Sequence, residues 1–350
     1  MPPEALSGAI RTLAHGGSLG ADEASAAFGA VMRGEASPAQ VAALLVALRV
    51  KGETSEEVAG AARALRGAMI PLPARAPEEL VDTCGTGGGS LTTFNISTAA
   101  ALVAAGVGVR VAKHGNRSFT SRCGSADVLE ALGVVIDAPV AVSARVLERA
   151  GIVFMYAPLM HPAMRHVGPV RRELAIPTVM NVVGPLANPA SAGRQVVGVA
   201  DRARMPLLAG ALVELGSRHA LVVHGEPGLD EISPLGLTSV LEVREGRLTE
   251  WTIDPADHGF GAVRAEELAG GDREENARIV VDVLTGQGTA GARAAVILNA
   301  AAALYVGGVA RSYEEAVSTA RDAVAAGVGL QALERMRAAY TEATPPDQRS

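Results

Sequence analysis

The sequence predicts an α/β protein in two parts: a small all-helical N-terminal domain and a larger α/β domain with a mostly parallel central sheet. Three observations lead there. The residues before about 72 carry only helix-like patterns, and residues 71–77 form a proline-bearing linker. Beyond the linker, short apolar runs alternate with helical segments, as parallel strands joined by covering helices do. At 350 residues the chain is long enough for one large domain and one smaller, with ample core.

Four short helices are expected first, within a helical domain of residues 1–72. Ser37-Pro38 gives an N-cap with proline at the first helical position, and that helix runs to about Lys51, where Gly52 stops it. Val41, Leu44, Leu45 and Leu48 fall on one face at helical spacing. Thr54 with Glu57 forms a capping-box pattern for the next helix, which reaches about Ala68. In the α/β domain, residues 78–345, strands are expected at 80–83, 107–111, 134–136 and 152–156. Helices at 97–105, 126–132 and 142–150 lie between them. Segments 195–200 and 219–224 continue the sheet, and 238–244 with 247–253 read as a hairpin around Glu245-Gly246. Segment 164–189 reads as helix, turn and helix inside the α/β part. The last third is helical, with Ser312 and Glu315 marking another capping box, and 344–350 are expected to form a frayed tail.

Composition narrows the function classes. Hydrophobic residues make up 49% and charged residues 19%, the balance of a packed globular protein rather than a disordered one. Aromatics are 3%, so the core is built from Ala, Val and Leu. With 31 basic and 37 acidic residues the net charge is −6, which offers no general attraction to nucleic acid or to an anionic membrane. Any anion site is therefore local. Cys84 and Cys123 are too few for a disulfide framework, and a reducing cytosol suits them. The start, Met1-Pro2-Pro3-Glu4, lacks the pattern of a signal peptide. The longest apolar run, 294–306, contains Asn299 and is too short to span a bilayer. A cytoplasmic protein is expected.

The chemistry concentrates in residues 82–127. Gly85, Gly87, Gly88 and Gly89 stand within five residues and let backbone N–H groups approach a ligand with no Cβ in the way. The alanine-rich run after Ser97 reads as a helix, so its N-terminus and the loop form a cradle for an anion. Asn95, Ser97 and Thr98 offer hydrogen bonds where that helix begins. A second polar block, Lys113-His114-Gly115-Asn116-Arg117, arrives one βα unit later, and Lys113 and Arg117 are expected to supply positive charge. No Gly-Lys-Ser/Thr follows, so this is not a Walker A loop; Ser90 takes the last place of G-x-G-x-x-G, so it is not that fingerprint either. The stretch reads as a phosphate or diphosphate site. No His-Glu-x-x-His or Cys-x-x-Cys spacing occurs, so zinc is not expected.

The block Gly-Thr-Gly-Gly from Gly85, Thr93-Phe94-Asn95-Ile96-Ser97-Thr98, Lys113 to Arg117 and Gly124-Ser125-Ala126-Asp127 resembles the anthranilate phosphoribosyltransferase family. His161-Pro162-Ala163-Met164, Arg171, the run NVVGPLANP at 181–189 and Gly228-Leu229-Asp230-Glu231 extend the similarity, in the family's order, over most of the chain. The resemblance implies a nucleoside phosphorylase/phosphoribosyltransferase-like fold, in which 164–189 returns to complete the helical domain. It also implies a homodimer through that domain. The implied reaction moves phosphoribosyl from phosphoribosyl pyrophosphate to anthranilate, in tryptophan biosynthesis.

The implied phosphoribosyl pyrophosphate site comprises Gly85, Thr86, Gly87, Gly88, Gly89, Thr93, Asn95, Ser97, Thr98, Lys113, His114, Gly115, Asn116, Ser121, Cys123 and Gly124. Ser97, Asp230 and Glu231 are implied at Mg2+, a hard cation that shares substrate phosphate with few protein oxygens. For anthranilate, Gly85, His114, Asn116 and His161 are implied, with Arg171 paired to the carboxylate and Gly184-Pro185 as a smooth wall. An aromatic amine is largely unprotonated near neutrality, so no general base is assigned. Where the family commonly has Gly-Gly-Asp-Gly, this chain has Gly88-Gly89-Ser90, and Ser90, Thr92 or a water is expected to replace the aspartate's contact. Two other readings stay open at this point. One is a pyrimidine nucleoside phosphorylase of the same architecture, whose Lys-His-Ser-type loop is not found here. The other is a non-catalytic relative that binds nucleic acid, against which the net charge of −6 stands.

Overall fold

A computed structural model describes residues 4–118 and 122–343, so the tail expected at 344–350 lies outside the described residues. Helices α1 (Glu4–Ala14), α2 (Ala21–Met32), α3 (Pro38–Lys51) and α4 (Ser55–Gly67) come first. Ser37 Oγ accepts from Gln40 N at 3.3 Å while the Gln40 side chain accepts from Ser37 N at 3.0 Å, so α3 opens as its sequence requires. Thr54 and Glu57 open α4 in the same way. The fully buried Glu57 carboxylate accepts from the Leu19 and Thr54 amides and from Lys51 Nζ, which ties α4 to its neighbours.

Seven strands follow: β1 (Val81–Gly85), β2 (Val111–Gly115), β3 (Ile152–Tyr156), β4 (Arg194–Gly198), β5 (His219–Gly225), β6 (Thr238–Arg244) and β7 (Arg247–Ile253). They form one sheet in the order β3-β2-β1-β4-β5-β6-β7. The first five are parallel, and β6 and β7 add an antiparallel edge. Helix α5 (Ile96–Val107) joins β1 to β2, while α6 (Ser125–Ala131) and α7 (Val140–Ala150) lie between β2 and β3. Between β3 and β4 come α8 (Ala157–Met160), α9 (Gly168–Leu174) and α10 (Met180–Val183), and α11 (Met205–Glu214) precedes β5. The C-terminal helices are α12 (Arg273–Leu284), α13 (Ala290–Gly307), α14 (Tyr313–Ala325) and α15 (Val328–Ala343).

Two strand expectations need correction. Residues 134–136 form no strand: Val134 and Ile136 are buried, Val135 points out at 42% exposure, and the segment is irregular, following the turn that ends α6. Val134 and Ile136 plug the core without pairing. At 107–111, Val107 belongs to α5, which ends at Gly108 in a left-handed conformation, and the strand begins only at Val111.

Alternation along the strands feeds two cores. Val196, Leu221, Val223 and Val240 face the core built by α5, α13 and α15, whereas Val197, Ala220, Val222 and Leu241 face the one shared with the N-terminal helices. Ala163, Val167, Val179, Met180 and Leu186 from the 164–189 excursion and its approach pack in that second core beside Phe28, Leu44 and Leu65. By length and composition alone α13 could cross a membrane, yet 78% of it is buried inside the protein.

Candidate functional site

The strand order locates the site. From β1 the chain moves to β2 and β3 on one side, then returns to β4 on the other. Connections leaving neighbouring parallel strands in opposite directions open a crevice beyond their carboxyl ends. The glycine loop leaves β1 there, His114 and Gly115 end β2, and Gly228 to Glu231 follow β5.

Gly87 and Gly88 adopt left-handed φ values of 69° and 81°, which turn the loop back over the crevice. Gly87 N donates to Asp230 Oδ2 at 2.8 Å, and Ser97 N, in the first turn of α5, donates to Glu231 Oε1 at 3.2 Å. Glycines make this approach possible: a Cβ at Gly85 would stand 2.4 Å from Asp230 Oδ2, and one at Gly225 would stand 2.5 Å from Glu231 O. The loop, the start of α5 and the acidic pair are thus one constellation. Burial raises the Asp230 carboxyl above its ordinary value. Burial and then the Asp230 charge push Glu231 up to about 8, against the pull of Lys113. Two adjacent buried carboxyls so perturbed are suited to a cation. Among the described residues no group of three or more His, Cys, Asp or Glu side chains is arranged for a metal. The two adjacent carboxyls of Asp230 and Glu231 are hard oxygen donors that fit Mg2+ sharing its remaining positions with substrate oxygens.

Lys113 lies on β2 at 4% exposure, donating to the Thr83 carbonyl and to Ser97 Oγ at 3.3 Å. Burial lowers its pKa, with Asp82, Cys84 and Glu231 opposing. The fully buried Asp82 accepts from His114 N at 3.1 Å and from Asn188 Nδ2 at 2.7 Å. Asn188 Nδ2 also donates to Ala112 O at 2.8 Å, and Asn188 Oδ1 accepts from Ala190 N. Asp82 and Asn188 fall in stretches that the sequence singles out, but neither is given a site role there. The signal available was a carboxylate on an apolar strand, which needs a buried partner.

The His114 and His161 rings stand 4.9 Å apart between centroids. Nε2 of His114 and both ring nitrogens of His161 are buried without a hydrogen-bond partner among the described residues. Burial, with His161 and Lys113 adding to it, lowers His114 to about 3, and burial lowers His161 to about 4. Both rings are neutral near pH 7, with unspent polar atoms. Pro185 is buried, and its carbonyl accepts from Gln195 Nε2 at 2.8 Å, fixing the Gly184-Pro185 wall to β4. Arg171, on α9, donates to Asn181 Oδ1 at 3.4 Å, and burial lowers its pKa.

Other expected residues are engaged differently. Arg117 does not stand free for phosphate: it pairs with Asp127 at 2.9 Å and Glu130 at 2.9 Å, with its guanidinium 6.0 Å from the Tyr156 ring centroid. Asn95 Nδ2 donates to Cys123 O at 3.3 Å while its Oδ1 accepts from Asn276 Nδ2 at 2.9 Å, so its amide links two segments. Asn276, on a distant helix, carries no sequence signal for this. Asn116 Oδ1 accepts from Arg117 N. Thr98 Oγ1 is buried without a partner among the described residues, and Thr93 forms a bridge with Ala269. Thr86 Oγ1 accepts from Ala200 N, and Gly89 lies against Asp230 and Gly228. Ser90 Oγ donates to Pro227 O at 2.8 Å, which leaves the hydroxyl oxygen able to accept where the family aspartate would. Ser121 lies outside the described residues.

Residues 77–330 match the a/b domain of a glycosyl transferase family, and residues 7–69 match that family's helical bundle domain. An anthranilate phosphoribosyltransferase of Rubrobacter xylanophilus is 51% identical over 327 residues, covering 93% of this chain and 95% of that protein. The chain belongs to the anthranilate phosphoribosyltransferase family. The crystal structure of the Thermus thermophilus member superposes with a TM-score of 0.89 at 44% identity, covering 95% of this chain and 99% of that one. A Saccharomyces cerevisiae member in complex with PRPP and Mg superposes with a TM-score of 0.87 at 28% identity, covering 97% and 99%. Membership favours the phosphoribosyl-transfer reading over the phosphorylase and the nucleic-acid-binding relative.

Proposed function

We propose that this chain transfers the phosphoribosyl group of phosphoribosyl pyrophosphate to the amine of anthranilate, giving N-(5-phosphoribosyl)anthranilate and diphosphate in tryptophan biosynthesis. The observation that carries this reading is the convergence of the glycine loop, the α5 N-terminus, Lys113 and the Asp230-Glu231 pair at one crevice. The loop amides, Ser97, Thr98 and Lys113 bind the diphosphate and orient its bond to C1′. Asp230, Glu231 and the Ser97 hydroxyl would hold Mg2+, which supplies charge neutralisation to the leaving diphosphate. The C1′–oxygen bond breaks as the anthranilate nitrogen bonds C1′, and that nitrogen then sheds a proton. His114 and His161, neutral and with unspent ring atoms, position the amine against the Gly184-Pro185 wall. Arg171 takes the carboxylate.

Residues 1–72 with 164–189 act as the helical domain, supported by the core they share, and 78–345 act as the catalytic domain. A cytoplasmic homodimer through the helical domain completes the reading. Purified protein with Mg2+ and both substrates should quench anthranilate fluorescence as the product forms. Arg171→Ala should raise the KM for anthranilate about 10-fold or more, the cost of one charge-assisted pair, with a much smaller change for phosphoribosyl pyrophosphate. Equal losses for both substrates refute the carboxylate contact, and phosphorolysis of a pyrimidine nucleoside instead of quenching refutes the reaction.

A further inference from the structure

We propose that Asp127 is a positioning residue of the phosphoribosyl pyrophosphate site, strapping together the two ends of the loop between β2 and α6; this rests on the function proposed above. Asp127 Oδ2 accepts from Ser118 N at 3.1 Å and from Gly124 N at 2.8 Å, while Oδ1 accepts from Arg117 Nη1 at 2.9 Å. The bond to Gly124 alone would be an ordinary helix cap. Those to Ser118 and Arg117 reach back to the segment leaving β2, which no cap requires. The two ends touch: a Cβ on Gly124 would lie 2.5 Å from Ser118 N and 2.6 Å from Asn116 O.

The strap continues outward. Arg117 forks onto Glu130 at 3.0 and 2.9 Å, and Glu130 also accepts from Arg273 Nη1 of α12 at 3.3 Å. On the inner side, Cys123 O accepts from Asn95 Nδ2, just before α5. Asp127 thereby sets where Cys123 and Gly124 sit against the diphosphate cradle. Burial works against its charge, but the Gly124 and Ser118 amides and Arg117 outweigh it and hold the carboxyl below its ordinary value.

The test is steady-state kinetics on the full chain with Mg2+, comparing Asp127→Asn and Glu130→Gln with the parent. An asparagine keeps the shape but loses the charge and turns an N–H toward donors. The expected result is a rise of about 10-fold in the KM for phosphoribosyl pyrophosphate, with kcat and the KM for anthranilate within about 3-fold. Glu130→Gln, which weakens only the outer fork, should move the same KM in the same direction by about 3-fold. An unchanged KM for phosphoribosyl pyrophosphate, or equal losses in all three parameters, overturns the proposal and leaves Asp127 a helix cap. If Asp127→Asn fails to fold, Glu130→Gln decides by the same criterion. A parent protein without turnover refutes the proposed function and takes this inference with it; an active parent with an indifferent Asp127→Asn refutes this inference alone.

Discussion

Alanine at Gly198 is a sharp perturbation of the acidic pair, because it touches no charge. Gly198 ends β4, in register with Gly85 of β1 and Val223 of β5. A Cβ there would stand 1.7 Å from the Asp230 carbonyl oxygen and 2.4 Å from its carbonyl carbon. Side-chain carbons essentially never approach within 3.0 Å of such atoms, so the two backbones must part by about 1.3 Å. β4 is held by ladders on both sides, whereas Asp230 sits in a connection, so Asp230 gives way. Overpacking of this kind costs about 1–3 kcal/mol of stability. A displacement near 1 Å at a reacting site costs roughly 100-fold in rate. Gly198→Ala should therefore lower the urea-derived unfolding free energy by about 1–3 kcal/mol and the turnover of anthranilate by roughly 100-fold. Gly246→Ala, in the β6–β7 turn, is the control, because a Cβ there meets nothing within 4 Å and suffers only the strain of φ +77°. That strain costs about 1–2 kcal/mol, without moving Asp230. A Gly198→Ala protein with parental turnover would show that Asp230 need not lie where the structure puts it.

Acid sensitivity should come partly from the two buried imidazoles. Their folded pKa values of about 3 and about 4 lie below the ordinary 6.5, so below pH 6.5 the unfolded chain binds protons that the folded chain refuses. Stability is full above pH 6.5 and falls on acidification, by roughly 1.5–2 kcal/mol per ring at pH 5. A double His114→Gln, His161→Gln variant should lose most of that part of the difference between pH 7 and pH 5 in urea titrations; an unaltered pH dependence counts against two neutral rings. Asn188→Ala strands Asp82, the Ala112 carbonyl and the Ala190 amide in a buried setting, and should cost about 3 kcal/mol in the same titration. A loss below about 1 kcal/mol would mean that water replaces the amide.

Local chemistry was legible in the sequence where it was self-contained. The hairpin Thr238–Arg244/Arg247–Ile253 is observed at the expected residues, because Glu245 and Gly246 both take positive φ and the flanking residues alternate. The caps at Ser37, Thr54 and Ser312 are likewise made by residues three apart. The glycine loop and the Lys113 block read as one site from the sequence, and the structure brings them to one crevice. Legibility failed where partners come from far along the chain. Arg117 looked like a phosphate ligand because Asp127 and Glu130, in the first and second turns of α6, were not read as its partners. Asn276, more than a hundred residues from Asn95, could be matched to it only by the fold. Val134 and Ile136 misled because burial of alternate residues does not require pairing with a neighbouring strand.

The hydrogen bonds from Gly87 N to Asp230 and from Ser97 N to Glu231 carry a consequence for selectivity. The amides that would greet a diphosphate are already engaged by carboxyl oxygens of the protein itself. An incoming anion must displace those oxygens, and a cation that arrives with it gives the displaced groups a partner. Orthophosphate or sulfate arriving alone brings no such partner. The exchange therefore favours a guest that carries its metal with it.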